Sequence, residues 1–191
     1  AQAQNYMYGP EIDNWNEKIK AKQRENGKKF LDLLKSAKEE GLKEINLEHE
    51  HYRFQKSFSP GNRGHIFAES LSGLTINGNG AEFWFEDYGT AINLRDCENV
   101  TFNNISIDYE PVPQAQGIIT KVGDKFLEIK NEKGFPTCIE IKKKAGNSKS
   151  KVFVFENDTN LFKREVPHIV GNKFEDIGDN NTRITGRAYG G

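Results

Sequence analysis

The chain has 191 residues with 27 basic and 28 acidic side chains, a length that predicts one domain or one domain with a sizeable insertion. The composition is polar, with 35% hydrophobic residues, yet 13 Phe, 6 Tyr and 2 Trp argue against wholesale disorder. No apolar run reaches the roughly 18 to 20 residues of a membrane-spanning helix, so the sequence predicts no membrane span.

Charge is unevenly distributed along the chain. Residues 61–120 carry eight acidic side chains and only two basic ones, Arg63 and Arg95. A surface that follows nucleic-acid phosphates needs the opposite balance, so nucleic acid is not an expected partner. The start Ala-Gln-Ala-Gln resembles the residues left by a signal peptidase, and we expect a secreted or periplasmic protein; trimming would leave the same start.

The first predicted element is an amphipathic helix over residues 26–40. Phe30, Leu33, Leu34 and Ala37 follow the spacing of one helix face, with Asn26 as the expected N-cap and Gly41 as the stop. Alternating apolar residues then predict two short strands, at 45–47 and 52–54.

A repeat with an offset of 26 residues follows these strands. Leu74-Thr75-Ile76-Asn77 is answered by Val100-Thr101-Phe102-Asn103, and Ile66 by Ile92. We interpret the second unit as three short strands, at 91–94, 100–102 and 105–107, separated by turns. Stacked units of this kind predict the start of a right-handed parallel β-helix with the helix as its N-terminal cap; an antiparallel sandwich is the alternative.

From residue 116 the repeat ends and strand-like runs follow at 118–122, 126–129, 138–141 and 152–155. They predict an antiparallel meander or small barrel-like insertion in an otherwise all-β fold. Residues 172–191 are expected to lack a closing strand. The predicted divisions are an N-terminal segment at 1–25, the cap and first coils at 26–117, and an incomplete antiparallel insertion at 118–191.

Residues 26–122 resemble the start of secreted bacterial parallel β-helix proteins of the pectate-lyase-like superfamily. The closest resemblance is to the α-1,3-galactosidase-like branch of glycoside hydrolases, through Leu74 to Gly80 and the stretch from Asn99 through Ile107-Asp108-Tyr109 to Gln116-Gly117. The resemblance implies that the chain continues into an inserted β domain. It also implies that the catalytic coils follow that domain, so we expect this chain to lack a complete active site.

Glycoside hydrolysis needs two carboxyl groups across a sugar ring, and Asp108 and Glu110 are the candidate pair. The alternative for Asp108 is a structural cap at a strand end. Trp84 and Tyr109 are the candidate sugar-binding aromatics.

No metal site and no cofactor are expected from the sequence. Calcium on Glu86, Asp87 and Asp96 is one metal alternative. His49 and His51 would lie on the same face of a strand and could bind a metal as a pair, but the sequence favours two surface histidines without a metal. The spacing of Cys97 and Cys138 leaves their disulfide state open.

Three functions remain open at this point. The first is the N-terminal portion of a carbohydrate-active protein whose parent hydrolyses α-galactosyl or related glycans. The second is a non-catalytic carbohydrate-binding or structural module, with self-association through an exposed strand edge. The third, a polysaccharide lyase, is weakened by the scarcity of basic residues in the acidic region. The expected partner is an oligosaccharide or polysaccharide.

Overall fold

A computed structural model describes residues 17–58, 63–145, 150–156, 161–163 and 169–188. The chain divides into two compact units, residues 1–113 and residues 114–191, and each is described by itself. The domain boundaries drawn from the sequence, at residues 25 and 117, stay a prediction.

The first unit opens with helix α1, which spans Glu17–Glu40 and ends at Gly41 with a φ of 70°. Phe30, Leu34 and Ala37 are buried as predicted, whereas Leu33 is exposed. The prediction that the helix begins at Asn26 is wrong. Asn26 lies inside α1, and its side-chain amide donates to the carbonyl of His51 rather than capping a helix end.

Parallel strands follow α1. Strand β4 (Thr75–Phe85) is flanked on one side by β1 (Glu44–Asn46) and β2 (His51–Phe54) and on the other by β6 (Thr101–Tyr109). Strands β3 (Ile66–Glu69) and β5 (Ile92–Arg95) form a separate parallel pair. A short 3-10 turn at Lys56–Phe58 follows β2.

The 26-residue repeat corresponds to the register of these strands. Ile66 pairs with Ile92, and Thr75 pairs with Thr101. The offset falls to 24 beyond Asn77, where β4 has three residues, Gly78 to Gly80, opposite the single residue Asn104 of β6.

The core of the first unit is a cluster of aromatic rings between α1 and the larger sheet. Phe83 lies at its centre, with ring centroids 5.0 to 5.6 Å from those of Phe30, Tyr52 and Phe54. Phe85 stacks on Phe54 at 5.4 Å. Edge and tilted ring contacts add to the free energy of burying this apolar surface.

The predicted fold class, an all-β chain that begins a right-handed parallel β-helix, is wrong. The described residues of the first unit form two small, separate parallel sheets and helix α1, and no closed coil of three strands per turn is seen among them. The two runs interpreted as strands at 100–102 and 105–107 belong to one continuous strand, β6. The 26-residue offset therefore predicts which residues of neighbouring strands pair, but it does not predict how the chain connects those strands.

The second unit is built on a five-stranded antiparallel sheet. Its strands are β7 (Gly117–Val122), β8 (Phe126–Asn131), β9 (Ser150–Val152), β10 (Ile169–Asp176) and β11 (Asn181–Ala188). The order is β7-β8-β11-β10-β9, so the predicted meander is wrong, because β8 pairs with β11 rather than with β9. Leu127, Ile129 and Ile184 form its buried core.

Two segments of this unit differ from their predictions. The run predicted as a strand at 138–141 lies in helix α2 (Cys138–Ala145), because Thr137 and Glu140 form a capping box. The Thr137 amide and hydroxyl both donate to the Glu140 carboxylate, and these hydrogen bonds lower the pKa of Glu140. The prediction that residues 172–191 lack a closing strand is wrong, because most of them belong to the β10–β11 hairpin.

Neither helix in the described part of the chain combines the length and the apolar character that a membrane span requires. Cys97 and Cys138 are free thiols, so the disulfide left open by the sequence is not formed.

Asn131 ties α2 to the sheet of the second unit. Its buried side chain donates to the Asn180 carbonyl and the Thr182 hydroxyl, and accepts from the Cys138 amide at 3.0 Å.

We expect Asn131→Ala to lower the free energy of unfolding by about 2 kcal/mol, because buried polar groups lose their partners. Urea unfolding measures this loss. Asn172→Ala, at an exposed position of β10, is the matched control and should change stability little; equal losses in both variants would contradict the role of Asn131.

Candidate functional site

One face of the larger parallel sheet carries two of the four candidate site residues that the sequence singled out, Trp84 and Asp108. In-register residues on parallel strands share a face, and alternate residues along each strand return to it. Arg53 pairs with Trp84, and Trp84 pairs with Asp108. We call this side of the sheet the Trp84 face; it consists of His51 and the buried Arg53 from β2, Glu82 and Trp84 from β4, and Ser106 and Asp108 from β6.

Trp84 is half-buried at the middle of this face, between polar neighbours. Its indole N–H donates to the Glu82 carboxylate at 3.3 Å, and the Arg53 guanidinium lies 5.9 Å from its ring centroid. Asp108 is its neighbour on β6, and one oxygen of that carboxylate accepts the Tyr109 amide at 2.7 Å. An aromatic ring beside two carboxylates is therefore available at the surface.

Glu110 lies beyond this face, in contact with two cations. Its carboxylate is 2.9 Å from the Lys20 ammonium and 2.7 Å from the Arg53 guanidinium. Because Lys20 belongs to α1 and Arg53 to β2, Glu110 joins the helix to the sheet. The structure does not bring Asp108 and Glu110 together as an open pair, and a catalytic role for either stays a prediction.

Glu110 is one of two carboxylates in what we call the ionic cluster, whose cations are Lys20, Arg24 and Arg53. Glu86 is the other carboxylate. Both of its oxygens accept from Arg24 of α1, at 2.7 and 2.8 Å, and Arg53 is 3.5 Å away. The hydrogen bonds to Glu86 raise the pKa of Arg24. Gln23 accepts from the Arg53 side chain at 3.1 Å and completes the contact of α1 with this arginine, which is only 1% exposed.

The residues considered for calcium do not form a site for it. Glu86 is bonded to two guanidinium groups, and Asp87 accepts the Lys56 amide at 2.9 Å. Within the described ranges, no group of three or more His, Cys, Asp or Glu side chains converges on a point where a metal ion could lie. Glu86 forms ion pairs instead, and Asp87 binds the backbone after β2.

Tyr109 does not join Trp84 on the same face. It pairs in register with Phe85, and its ring packs 5.4 Å from that ring and 6.1 Å from the buried His65. Its hydroxyl donates to the Gly89 carbonyl at 2.7 Å, and burial raises its pKa. Tyr109 thus packs with the core and fixes the loop between β4 and β5.

Sequence reasoning missed Glu82, whose carboxylate lies 3.3 Å from the imidazole of His51 across β2 and β4. The signal for Glu82 was present, because it precedes Trp84 by two residues in an alternating strand. His49, considered with His51 as a metal pair, packs its ring near Gly80.

Comparison with known proteins shows partial similarity to glycoside hydrolases. The chain is 37% identical over 79 residues to alpha-1,3-galactosidase B of Bacteroides thetaiotaomicron, which covers 41% of this chain and 13% of the relative. It is 31% identical over 67 residues to alpha-1,3-galactosidase B of Akkermansia muciniphila, covering 35% and 8%. The protein of the same name from Phocaeicola vulgatus is 36% identical over 76 residues, covering 35% and 13%.

The matched region spans no more than 13% of the length of these curated relatives. No protein-family profile matches the chain. The similarity relates part of this chain to part of these glycoside hydrolases.

Proposed function

We propose that this chain is part of a carbohydrate-active protein related to α-1,3-galactosidases, and that the Trp84 face contacts an α-galactosyl or similar glycan. The observation that carries the proposal is the half-buried Trp84 ring, whose indole N–H donates to the Glu82 carboxylate and whose in-register neighbour on β6 is Asp108. The export expected from the N-terminal residues is part of this proposal and is untested.

The chemistry of this face suits a neutral sugar. The electron-rich face of an indole attracts the weakly positive C–H groups on the apolar side of a pyranose ring. Carboxylate oxygens accept hydrogen bonds from sugar hydroxyls, and charge-assisted bonds of this type are among the stronger ones. Glu82 lies two residues before Trp84 on β4, and Asp108 lies beside Trp84 on β6.

Cleavage asks more of the site than binding does. A glycosidase needs one carboxyl group held protonated and a second one placed across the scissile bond. Glu110 and Glu86 are paired with Lys20, Arg24 and Arg53, so their carboxylate oxygens are engaged by cations of the protein itself. Binding of the glycan by the Trp84 face is therefore the function that the described residues support best.

A lyase is the less favoured alternative. Lyases abstract a proton from an acidic sugar, and the substrate carboxylate needs a neutralising cation. The cations of the ionic cluster, Lys20, Arg24 and Arg53, already contact Glu86 and Glu110. An acidic sugar on the Trp84 face would also meet Glu82 and Asp108.

Replacing Trp84 by alanine tests the proposal. We expect Trp84→Ala to weaken binding of an α-1,3-galactosyl oligosaccharide by about tenfold or more, because central aromatic contacts carry a large share of binding energy. Isothermal titration calorimetry measures the change. Unaltered affinity in this variant, with the fold intact by circular dichroism, would remove the Trp84 face as the binding surface.

Phe67→Ala is the matched control for this experiment. Phe67 is a half-buried aromatic residue of β3 with Arg63 and Arg95 near its ring, at 4.7 and 5.5 Å, but it lies on the other parallel sheet. Its replacement should leave glycan affinity unchanged. A cleavage assay on the same oligosaccharide, with Asp108→Asn and Glu82→Gln, separates turnover from binding.

A further inference from the structure

The carboxylate of Glu82 is held through one of its two oxygens. Its Oε2 atom accepts the Trp84 indole N–H at 3.3 Å, and the Nδ1 atom of His51 lies 3.3 Å from the same oxygen. Among the described residues, no other group bonds to this carboxylate. Its second oxygen, Oε1, therefore has no protein partner there, on a side chain that is 37% exposed.

Asp108 is held in the same way on the neighbouring strand. Its Oδ1 atom accepts the Tyr109 amide at 2.7 Å, and within the described part of the chain nothing bonds to Oδ2. Asp108 pairs in register with Trp84, and Glu82 precedes Trp84 by two residues, so the two carboxylates are diagonal neighbours. Strand spacing and rise place their Cα atoms about 8 Å apart, a distance on the scale of one sugar ring.

The two carboxylates present acceptors without donors. A carboxylate only accepts hydrogen bonds, and a hydroxyl group that donates to it forms a charge-assisted bond. Because one oxygen of each carboxylate is held by the protein, the other oxygen keeps its direction before a ligand arrives. Groups fixed in this way lose less conformational freedom on binding. The arrangement suits a ligand that supplies two hydroxyl donors.

We infer that Glu82 Oε1 and Asp108 Oδ2 accept two hydroxyl groups of the glycan, and that His51 is a positioning residue for Glu82. This inference rests on the proposed function, because it assigns atoms of the Trp84 face to the same ligand. His51 approaches Oε2 from β2, and Trp84 binds that oxygen from β4 itself. Without His51 one contact remains, the carboxylate turns about it, and Oε1 loses its fixed direction.

Titration calorimetry with an α-1,3-galactosyl disaccharide and its monodeoxy analogues tests the inference. We expect the wild-type chain to bind two of the analogues about tenfold more weakly than the parent sugar, since each lacks one donor to a carboxylate. In Glu82→Gln the indole retains the amide oxygen and an N–H₂ group replaces Oε1. One of the two analogues should then bind this variant as well as the parent sugar does.

His51→Leu should lose the same discrimination, and His51→Asn, which keeps an N–H group near the position of Nδ1, should restore it. A purely structural role for His51 would weaken all the sugars equally and would overturn the inference. His49→Leu is the matched control, because His49 is exposed and packs its ring near Gly80. It should leave the discrimination unchanged.

The Trp84 indole N–H resonance of the sugar-free chain gives a readout that does not depend on glycan binding. His51→Leu should shift this resonance and His49→Leu should not, because only His51 contacts the oxygen that the indole binds. A resonance that His51→Leu leaves in place would overturn the positioning role. Glycan binding that Trp84→Ala abolishes but His51→Leu leaves fully discriminating would overturn this inference and leave the proposed function standing. Absence of wild-type binding would overturn both.

Discussion

Replacing Arg53 by methionine is expected to lower the free energy of unfolding by about 3–5 kcal/mol, the usual cost of removing one partner from a buried ion pair. The Arg53 side chain is 1% exposed and lies between Glu86 and Glu110. Its removal leaves two largely buried carboxylates with only the cations of α1, Lys20 and Arg24, as partners. Urea unfolding measures the change without screening the charges as guanidinium salts do.

Arg95→Met is the matched control for this variant. Arg95 also pairs with a glutamate, Glu69 at 3.4 Å, but its side chain is half exposed. Exposed pairs contribute about 0–1 kcal/mol, so this variant should lose little stability. A loss for Arg53→Met no larger than that for Arg95→Met would show that the ionic cluster does not hold α1 on the sheet.

Replacing Gly27 by alanine is expected to destabilise the first unit by about 3 kcal/mol, in the upper range for inserting atoms into a packed site. At an exposed position within a helix the same change would stabilise by about 1 kcal/mol. A Cβ at Gly27 would lie 2.2 Å from the Arg53 carbonyl oxygen, which is backbone and cannot turn aside. Helix α1 would have to move away from β2, and the Phe30 contacts with Phe54 and Phe83 would loosen.

Thermal unfolding followed by circular dichroism measures this effect. Gly41→Ala is the control, since a Cβ there meets nothing within 4 Å and the cost is limited to the positive φ of 70°, about 1–2 kcal/mol. If Gly27→Ala stabilises the chain, the close approach of α1 to β2 is wrong.

Local patterns in the sequence identified the parts of the fold in which side-chain spacing and structure agree. The spacing of Phe30, Leu34 and Ala37 located the buried face of α1, and the 26-residue offset gave the pairing of β3 with β5. The start of α1 was predicted too late in the chain, because Asn26 is a common N-cap residue and Gly27 is unfavourable inside a helix. Here the glycine permits contact with β2, and the asparagine bonds to the backbone of His51.

Other features depended on contacts that no local pattern encodes. Residues 138–141 have the composition of a strand, but Thr137 and Glu140 cap a helix there. A repeat indicates which residues of neighbouring strands pair, but it does not determine how the chain connects those strands. The 26-residue offset was therefore not sufficient to predict a β-helix. The β10–β11 hairpin was not predicted because its turn was not recognised in the sequence. Gly178, Asp179 and Asn180 all adopt positive φ in that turn.

The candidate site was predicted in part. Trp84 and Asp108 lie side by side as in-register neighbours. Tyr109 alternates to the opposite side and packs with the core. The position of Glu110 could not be deduced from the sequence, because its partners Lys20 and Arg53 are distant along the chain. Which carboxylates face solvent was decided by the cations of α1.

The most direct test of the glycan-binding account is to titrate the isotopically labelled chain with an α-1,3-galactosyl disaccharide and follow its amide and indole N–H resonances. The account predicts shifts of the Trp84 indole and of the amides of Glu82, Ser106 and Asp108, with those of β7 and β8 unchanged. Shifts centred on the second unit, or no shifts up to millimolar sugar, would contradict it.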